Sequence, residues 1–156
     1  MSTTAAPKLY RTIEDLTLEV KQEIHVKATL EKTFAALLEQ LGPGNENGEG
    51  QPMPMKLEPW PGGRWFRDLG EGKGHFWGHV QAIKKPTLLE FYGPLFMSYP
   101  VSSNVQYRLR EMDGGTLIEF RHTALGLITE EHRAGVVHGW RHMLELAKKL
   151  AERKVQ

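Results

Sequence analysis

Residues 102–123 read SSNVQYRLREMDGGTLIEFRHT, and their pattern decides the fold class. Val105, Tyr107 and Leu109 alternate with Gln106, Arg108 and Arg110 ahead of Asp113-Gly114-Gly115; Ile118, Phe120 and His122 alternate with Glu119 and Arg121 after it. A period of two marks a strand with one buried and one wet face, and an Asp-Gly-Gly turn between two such runs marks an antiparallel hairpin.

Upstream, the same chemistry repeats. Candidate strands run over Met55 to Glu58, Arg64 to Leu69, His75 to Lys84 and Thr87 to Tyr92. Reversals fall at Pro61-Gly62-Gly63, Gly70-Glu71-Gly72-Lys73-Gly74 and Lys85-Pro86, where glycine and proline favour turns over regular structure. Further out, Leu16, Leu18, Val20, Ile24 and Val26 lie at even spacing with Thr17, Glu19, Lys21, Glu23 and His25 between them, so a long first strand is expected. Together these segments predict a curved antiparallel sheet.

Helical spacing appears twice. Thr29 is a candidate cap for a helix carrying Leu30, Phe34, Leu37, Leu38 and Leu41, which Gly42 and Pro43 stop. From about Glu130 to Arg153, Val136, Val137, Trp140, Met143, Leu144, Ala147, Leu150 and Ala151 form one apolar stripe, with His138, Arg141, His142, Glu145, Lys148 and Lys149 away from its centre. One long helix lying across the sheet follows. The segment GPGNENGEGQPMP at 42–54 reads as a mobile loop. The expected fold is therefore α+β, a helix-grip arrangement in which a curved antiparallel sheet wraps a long C-terminal helix and short helices follow the first strand. Residues 1–16 are expected to be an N-terminal arm and residues 17–156 a single domain.

Composition narrows the partners. Lys and Arg number 20 against 19 Asp and Glu, so no net field draws the chain to nucleic acid. The absence of cysteine excludes a disulfide scaffold, a thiol nucleophile and cysteine-bound metal. Met1 to Tyr10 lacks the apolar run of a signal peptide, and no stretch approaches the ~20 apolar residues of a membrane span, so a cytoplasmic location is expected.

Five motifs occur in order: Glu58-Pro59-Trp60-Pro61-Gly62-Gly63, Gly78-His79-Val80, Lys85-Pro86-Thr87-Leu88-Leu89, Gly115-Thr116-Leu117 and Gly139-Trp140. With the element order, they make residues 17 to 152 resemble the START-like, or polyketide-cyclase-like, superfamily. Within it, the chain resembles homologues of the activator of the ninety-kilodalton heat-shock-protein ATPase. The resemblance implies a hydrophobic cavity between sheet and C-terminal helix. It also brings a heat-shock chaperone into view as a protein partner, while an outward-facing Trp77 would suit a contact with a second copy of the chain.

The apolar faces supply the candidate cavity lining: Phe34, Leu89, Phe91, Val105, Tyr107, Leu109, Ile118, Phe120, His122, Val137, Trp140, Met143 and Leu144. The same residues could equally make a filled core. His122 is the polar point in that wall and, with Tyr107, the weak candidate for proton transfer; a hydrogen-bonded structural histidine is the alternative. On the strand from His75, the face Phe76, Gly78, Val80 and Ala82 is expected inside, which puts His75, Trp77 and His79 outside. His75 and His79 are then about 13 Å apart along an extended chain, too far to share a metal. His138 and His142 have helical metal-ligand spacing but lack the glutamate of the H-E-x-x-H pattern and are expected on the solvent side. No cofactor or metal is expected. The glycine-rich segments lack phosphate-loop spacing, and the 42–54 loop, with Met53 and nearby Met55, is either a lid over the cavity mouth or simply disordered. Three functional readings follow: a binding domain for a small hydrophobic molecule, a cyclase- or hydrolase-like enzyme acting on an aromatic or hydrophobic substrate, and a co-chaperone-like interaction module.

Overall fold

The computed structural model describes residues 12–153. Most of the N-terminal arm expected over 1–16 lies outside the described residues. Its last part is a 3-10 turn, Ile13–Leu16, to which Arg133 is tied through the Asp15 carbonyl.

Seven strands form one antiparallel sheet: β1 (Thr17–Val26), β2 (Lys56–Leu57), β3 (Arg64–Gly70), β4 (Lys73–Lys84), β5 (Leu88–Gly93), β6 (Val101–Met112) and β7 (Gly115–Gly126). Their spatial order is β1-β7-β6-β5-β4-β3-β2. The hairpin read from the opening stretch is its longest ladder, running from Val101 opposite Gly126 to Met112 opposite Gly115. After β1 comes a single helix, α1 (Leu30–Leu41), rather than several. Thr29 caps it by accepting from the Lys32 amide, and Phe34, Leu37 and Leu41 form its buried stripe. The long helix α2 (Glu130–Glu152) is capped likewise by Thr129.

Alternation puts Leu89, Phe91, Val105, Tyr107, Leu109, Ile118 and Phe120 on the concave face, where all are buried with Phe34, Trp140 and Leu144. Full burial of each large apolar side chain contributes roughly 1.5–3 kcal/mol. Trp65 joins layers by a different route: its Nε1–H donates to the Leu41 carbonyl at 2.7 Å, satisfying an end carbonyl of α1 inside the core.

β1 is an edge strand, and α2 covers that edge. Arg133 donates to the Thr17 carbonyl, Arg141 to the Glu23 carbonyl and Lys148 to the His25 carbonyl. The three acceptors lie at odd positions, whose carbonyls face away from β7. Arg141 and Lys148, read from sequence as lying away from the apolar stripe, therefore join Arg133 in capping unpaired strand carbonyls, a charged cover that blunts edge-to-edge pairing.

Two expectations for β4 and α2 are corrected. Trp77 is 7% exposed and Phe76 40% exposed, the reverse of the face expected from alternation. Against β3, Trp65 pairs with Gly78 but Phe66 pairs with Phe76, so Trp77 is an extra residue in a β-bulge; a second shift, against β5, falls between Val80 and Ala82. Each bulge inverts the phase, so Trp77, Val80 and Ile83 share the inner face. Glycine at 78 and 93 permits the first: a Cβ on Gly78 would sit 2.5 Å from the Tyr92 carbonyl oxygen, and Gly93 has φ +152. Val137 is the other correction. Its side chain is 45% exposed, because α2 centres its buried stripe on Val136, Trp140, Leu144 and Ala147 and leaves Val137 at the margin.

Candidate functional site

The 42–54 segment is held at its base. Gln40 donates to the Asn45 side-chain oxygen at 3.1 Å, and Asn45 donates to the Met53 carbonyl at 3.1 Å, with Gln40 and Asn45 both buried. Its tip, Glu49 to Gly50, is bound only by turn hydrogen bonds around Asn47. At the N-terminal end of α2, the loop after β5 carries Leu95 and Met97 into the interior and leaves Phe96 half-buried against His132. Tyr99 lies 2.8 Å from His132 Nδ1 and stacks on that ring, fastening this loop to the first turn of α2.

Between these two loops a groove of about 480 Å³ opens beside α2. Its apolar walls are Met53, Trp77, Phe96, Val136, Trp140 and Met143. Its helical side is bare where Gly135 and Gly139 fall one turn apart: a Cβ at either would meet nothing within 4 Å. Helix-interior glycine costs about 1 kcal/mol relative to alanine, and this pair leaves the groove unobstructed. Polar groups gather at the ends. Glu46 and His142 stand at one, their Oε2 and Nε2 atoms 3.6 Å apart, and Glu131 and His132 at the other.

Of the expected lining, Trp140 and Met143 reach this groove. Apart from the exposed Val137, the rest packs on itself: Tyr107 and Phe120 rings are 5.1 Å apart and Phe120 and Trp140 4.6 Å. Sequence reasoning missed Trp77, which the bulge hid, and Phe96, which sits in an irregular loop without periodicity. It also missed Glu46. Gly135 and Gly139 carried a readable signal, two costly glycines four apart inside a helix.

His122 lies behind the groove, fully buried. Trp140 Nε1–H donates to its Nδ1 at 2.9 Å, and its Nε2 is 3.1 Å from Ser103 Oγ. Indole nitrogen can only donate, so Nδ1 is the acceptor and the proton sits on Nε2, which donates to Ser103. Burial pushes His122 down to about 4, keeping the ring neutral near pH 7. In this arrangement neither nitrogen is free to take a proton from a substrate. Tyr107 does not complete a dyad: its hydroxyl is buried without a hydrogen-bond partner, and burial raises its pKa well above the phenol range.

His75, Trp77 and His79 also separate. His75 Nδ1 accepts from Trp77 Nε1 at 3.1 Å, while His79 donates from Nδ1 to the Gly62 carbonyl on the outer face, between Phe76 and Tyr92. His138 is exposed, whereas His142, expected beside it in solvent, is half-buried against Glu46 because the 42–54 loop folds back over α2. No cluster of three potential metal ligands occurs among the described residues, and no helix among them is long and apolar enough to cross a membrane.

Residues 27–152 match the family model described as "Activator of Hsp90 ATPase homolog 1-like protein". The chain belongs to that family. Its match begins at the end of β1 and takes in the groove and its loops. No curated protein matches the sequence significantly. Among solved structures, an uncharacterised protein from Rhizobium leguminosarum superposes with a TM-score of 0.68 at 20% identity, over 88% of this chain and 96% of that one. Ara h 8.0201 gives 0.66 at 15% identity, over 86% and 97%. The di-domain ARO/CYC StfQ of the steffimycin biosynthetic pathway gives 0.64 at 14% identity; it covers 90% of this chain, which spans about half (52%) of StfQ. At these identities the likeness is one of fold, and the family member here shares the START-like, polyketide-cyclase-like architecture. Fold alone does not assign an activity.

Proposed function

We propose that this member of the Hsp90-activator-homologue family is a binding domain that holds a small hydrophobic molecule in the groove between α2, the 42–54 loop and the loop bearing Phe96. The observation that carries this reading is a groove of about 480 Å³ with two tryptophans, a phenylalanine and two methionines in its walls and no side chain on the helix turns at Gly135 and Gly139. That volume lies within the ~300–1,000 Å³ usual for small-molecule sites, and concave apolar surface with a few polar groups is their common composition. Methionine walls suit ligands of varied shape. The occupied lone pair of His122 favours binding over proton-transfer chemistry at this site.

Titration with a neutral polarity-sensitive fluorophore, N-phenyl-1-naphthylamine, tests it. The expected result is saturable binding to the wild type and at least tenfold weaker binding to Met143→Lys, which sets a charge on the groove wall at a half-buried position. Absent binding, or binding that Met143→Lys leaves unchanged in a folded protein, overturns the assignment.

A further inference from the structure

The groove's charge is one-sided. Among the described residues, those lining it include Glu46 and Glu131 but neither lysine nor arginine. Other surface hollows differ: Lys27, Lys32 and Arg153 border one, and Arg108, Arg121 and Arg141 another. In a chain with 20 basic and 19 acidic residues, the apolar groove is a hollow without lysine or arginine among the described residues.

At its inner end, Glu46 is more than a solvated carboxylate. Its side chain is 30% exposed, and its Oε2 lies 3.6 Å from His142 Nε2, a buried atom with no hydrogen-bond partner. An anion and an unpartnered ring nitrogen thus face each other across a gap slightly too long for their own hydrogen bond. A donor group placed between them would satisfy both in the tautomer that leaves Nε2 unprotonated. A carboxylate or phosphate there would instead meet Glu46 as a like charge at reduced solvent screening.

Resting on the groove reading above, we infer that the ligand is a cationic amphiphile: an aromatic or aliphatic apolar body along α2 with a protonated amine seated between Glu46 and His142. The body lies against Trp77, Phe96 and Trp140, whose ring faces also favour positive charge. From position 131 to 142 the helix rises about 16 Å, which bounds the ligand's length. The site thereby selects against fatty acids and other apolar anions.

Three ligands with one apolar body separate this inference from the reading beneath it: 1-ethylnaphthalene, 2-(1-naphthyl)ethylamine and 1-naphthaleneacetate, titrated by calorimetry at neutral pH and moderate salt. The amine is expected to bind at least tenfold more tightly than the carboxylate and severalfold more tightly than the neutral compound. Glu46→Gln is expected to bring the amine to the neutral compound's affinity without changing the latter, and Glu131→Gln, at the exposed end, to leave the preference in place. Binding of the neutral compound with no advantage for the amine, or an advantage that survives Glu46→Gln, overturns the cationic assignment and leaves the groove standing. Failure of all three to bind overturns both.

Discussion

The Trp140 indole nitrogen donates to His122 Nδ1 at 2.9 Å, joining α2 to β7 by a hydrogen bond inside an apolar core. That bond, with the donation from Nε2 to Ser103, satisfies the imidazole only while it is neutral. Protonating Nδ1 sets a donor against a donor and places a charge where water cannot reach it.

Stability should therefore depend on pH through His122. Its folded value, about 4, is below the ordinary 6.5, so the unfolded chain binds the proton more readily. The contribution is fully present above 6.5 and is lost as pH falls from 6.5 toward 4. By about pH 4.5 the loss should be on the order of 2–3 kcal/mol. Glu58, Asp68 and Glu152 are held below the carboxylate range by bonds from the Arg64 side chain, the Lys56 side chain and the Lys27 amide, so their losses come at lower pH. Urea unfolding against pH checks this: His122→Asn should be less stable at pH 7, by roughly 1–3 kcal/mol, and flatter between pH 6.5 and 5. An identical slope in both proteins would falsify the assignment.

Gly135 and Gly139 separate stability from binding. A Cβ at either position meets nothing, so Gly135→Ala and Gly139→Ala should each raise stability by about 0.5–1 kcal/mol through helix propensity. Gly139→Leu should fold equally well yet fill the groove and lower fluorophore affinity at least tenfold. Thermal melts and dye titrations on the same samples read both effects. A leucine variant that binds as the wild type does places the ligand elsewhere.

The cationic cover of β1 makes a third prediction. Replacing Arg133, Arg141 and Lys148 together with alanine frees the carbonyls of Thr17, Glu23 and His25. The triple variant should lose on the order of 3 kcal/mol, because bonds of this kind contribute about 1 kcal/mol each when partly exposed. It should also self-associate through the uncovered strand edge. Sedimentation velocity across a concentration series reports this, and a variant that associates no more than the wild type denies these side chains their protective role.

Much of the fold was legible because its signals are local. The 102–123 hairpin, the Thr29-capped helix and the long C-terminal helix follow from periodicity, caps and turn residues, and the buried face of Val105, Tyr107, Leu109, Ile118 and Phe120 follows from strand alternation. The five ordered motifs carried the family. What alternation could not show was the phase of β4, since bulges at Trp77 and between Val80 and Ala82 each invert it and are set by how β3 and β5 pair with the strand. Nor could composition reveal that Arg133, Arg141 and Lys148 cap an edge strand more than a hundred positions away. The groove is tertiary for the same reason: Glu46, Trp77, Phe96 and His142 come from separate loops, a strand and a helix, and their convergence depends on where the chain's turns bring them. Sequence alone determined which surfaces must be buried; only three-dimensional packing decided which gaps between them stayed open, because a cavity is made by residues that do not meet along the chain.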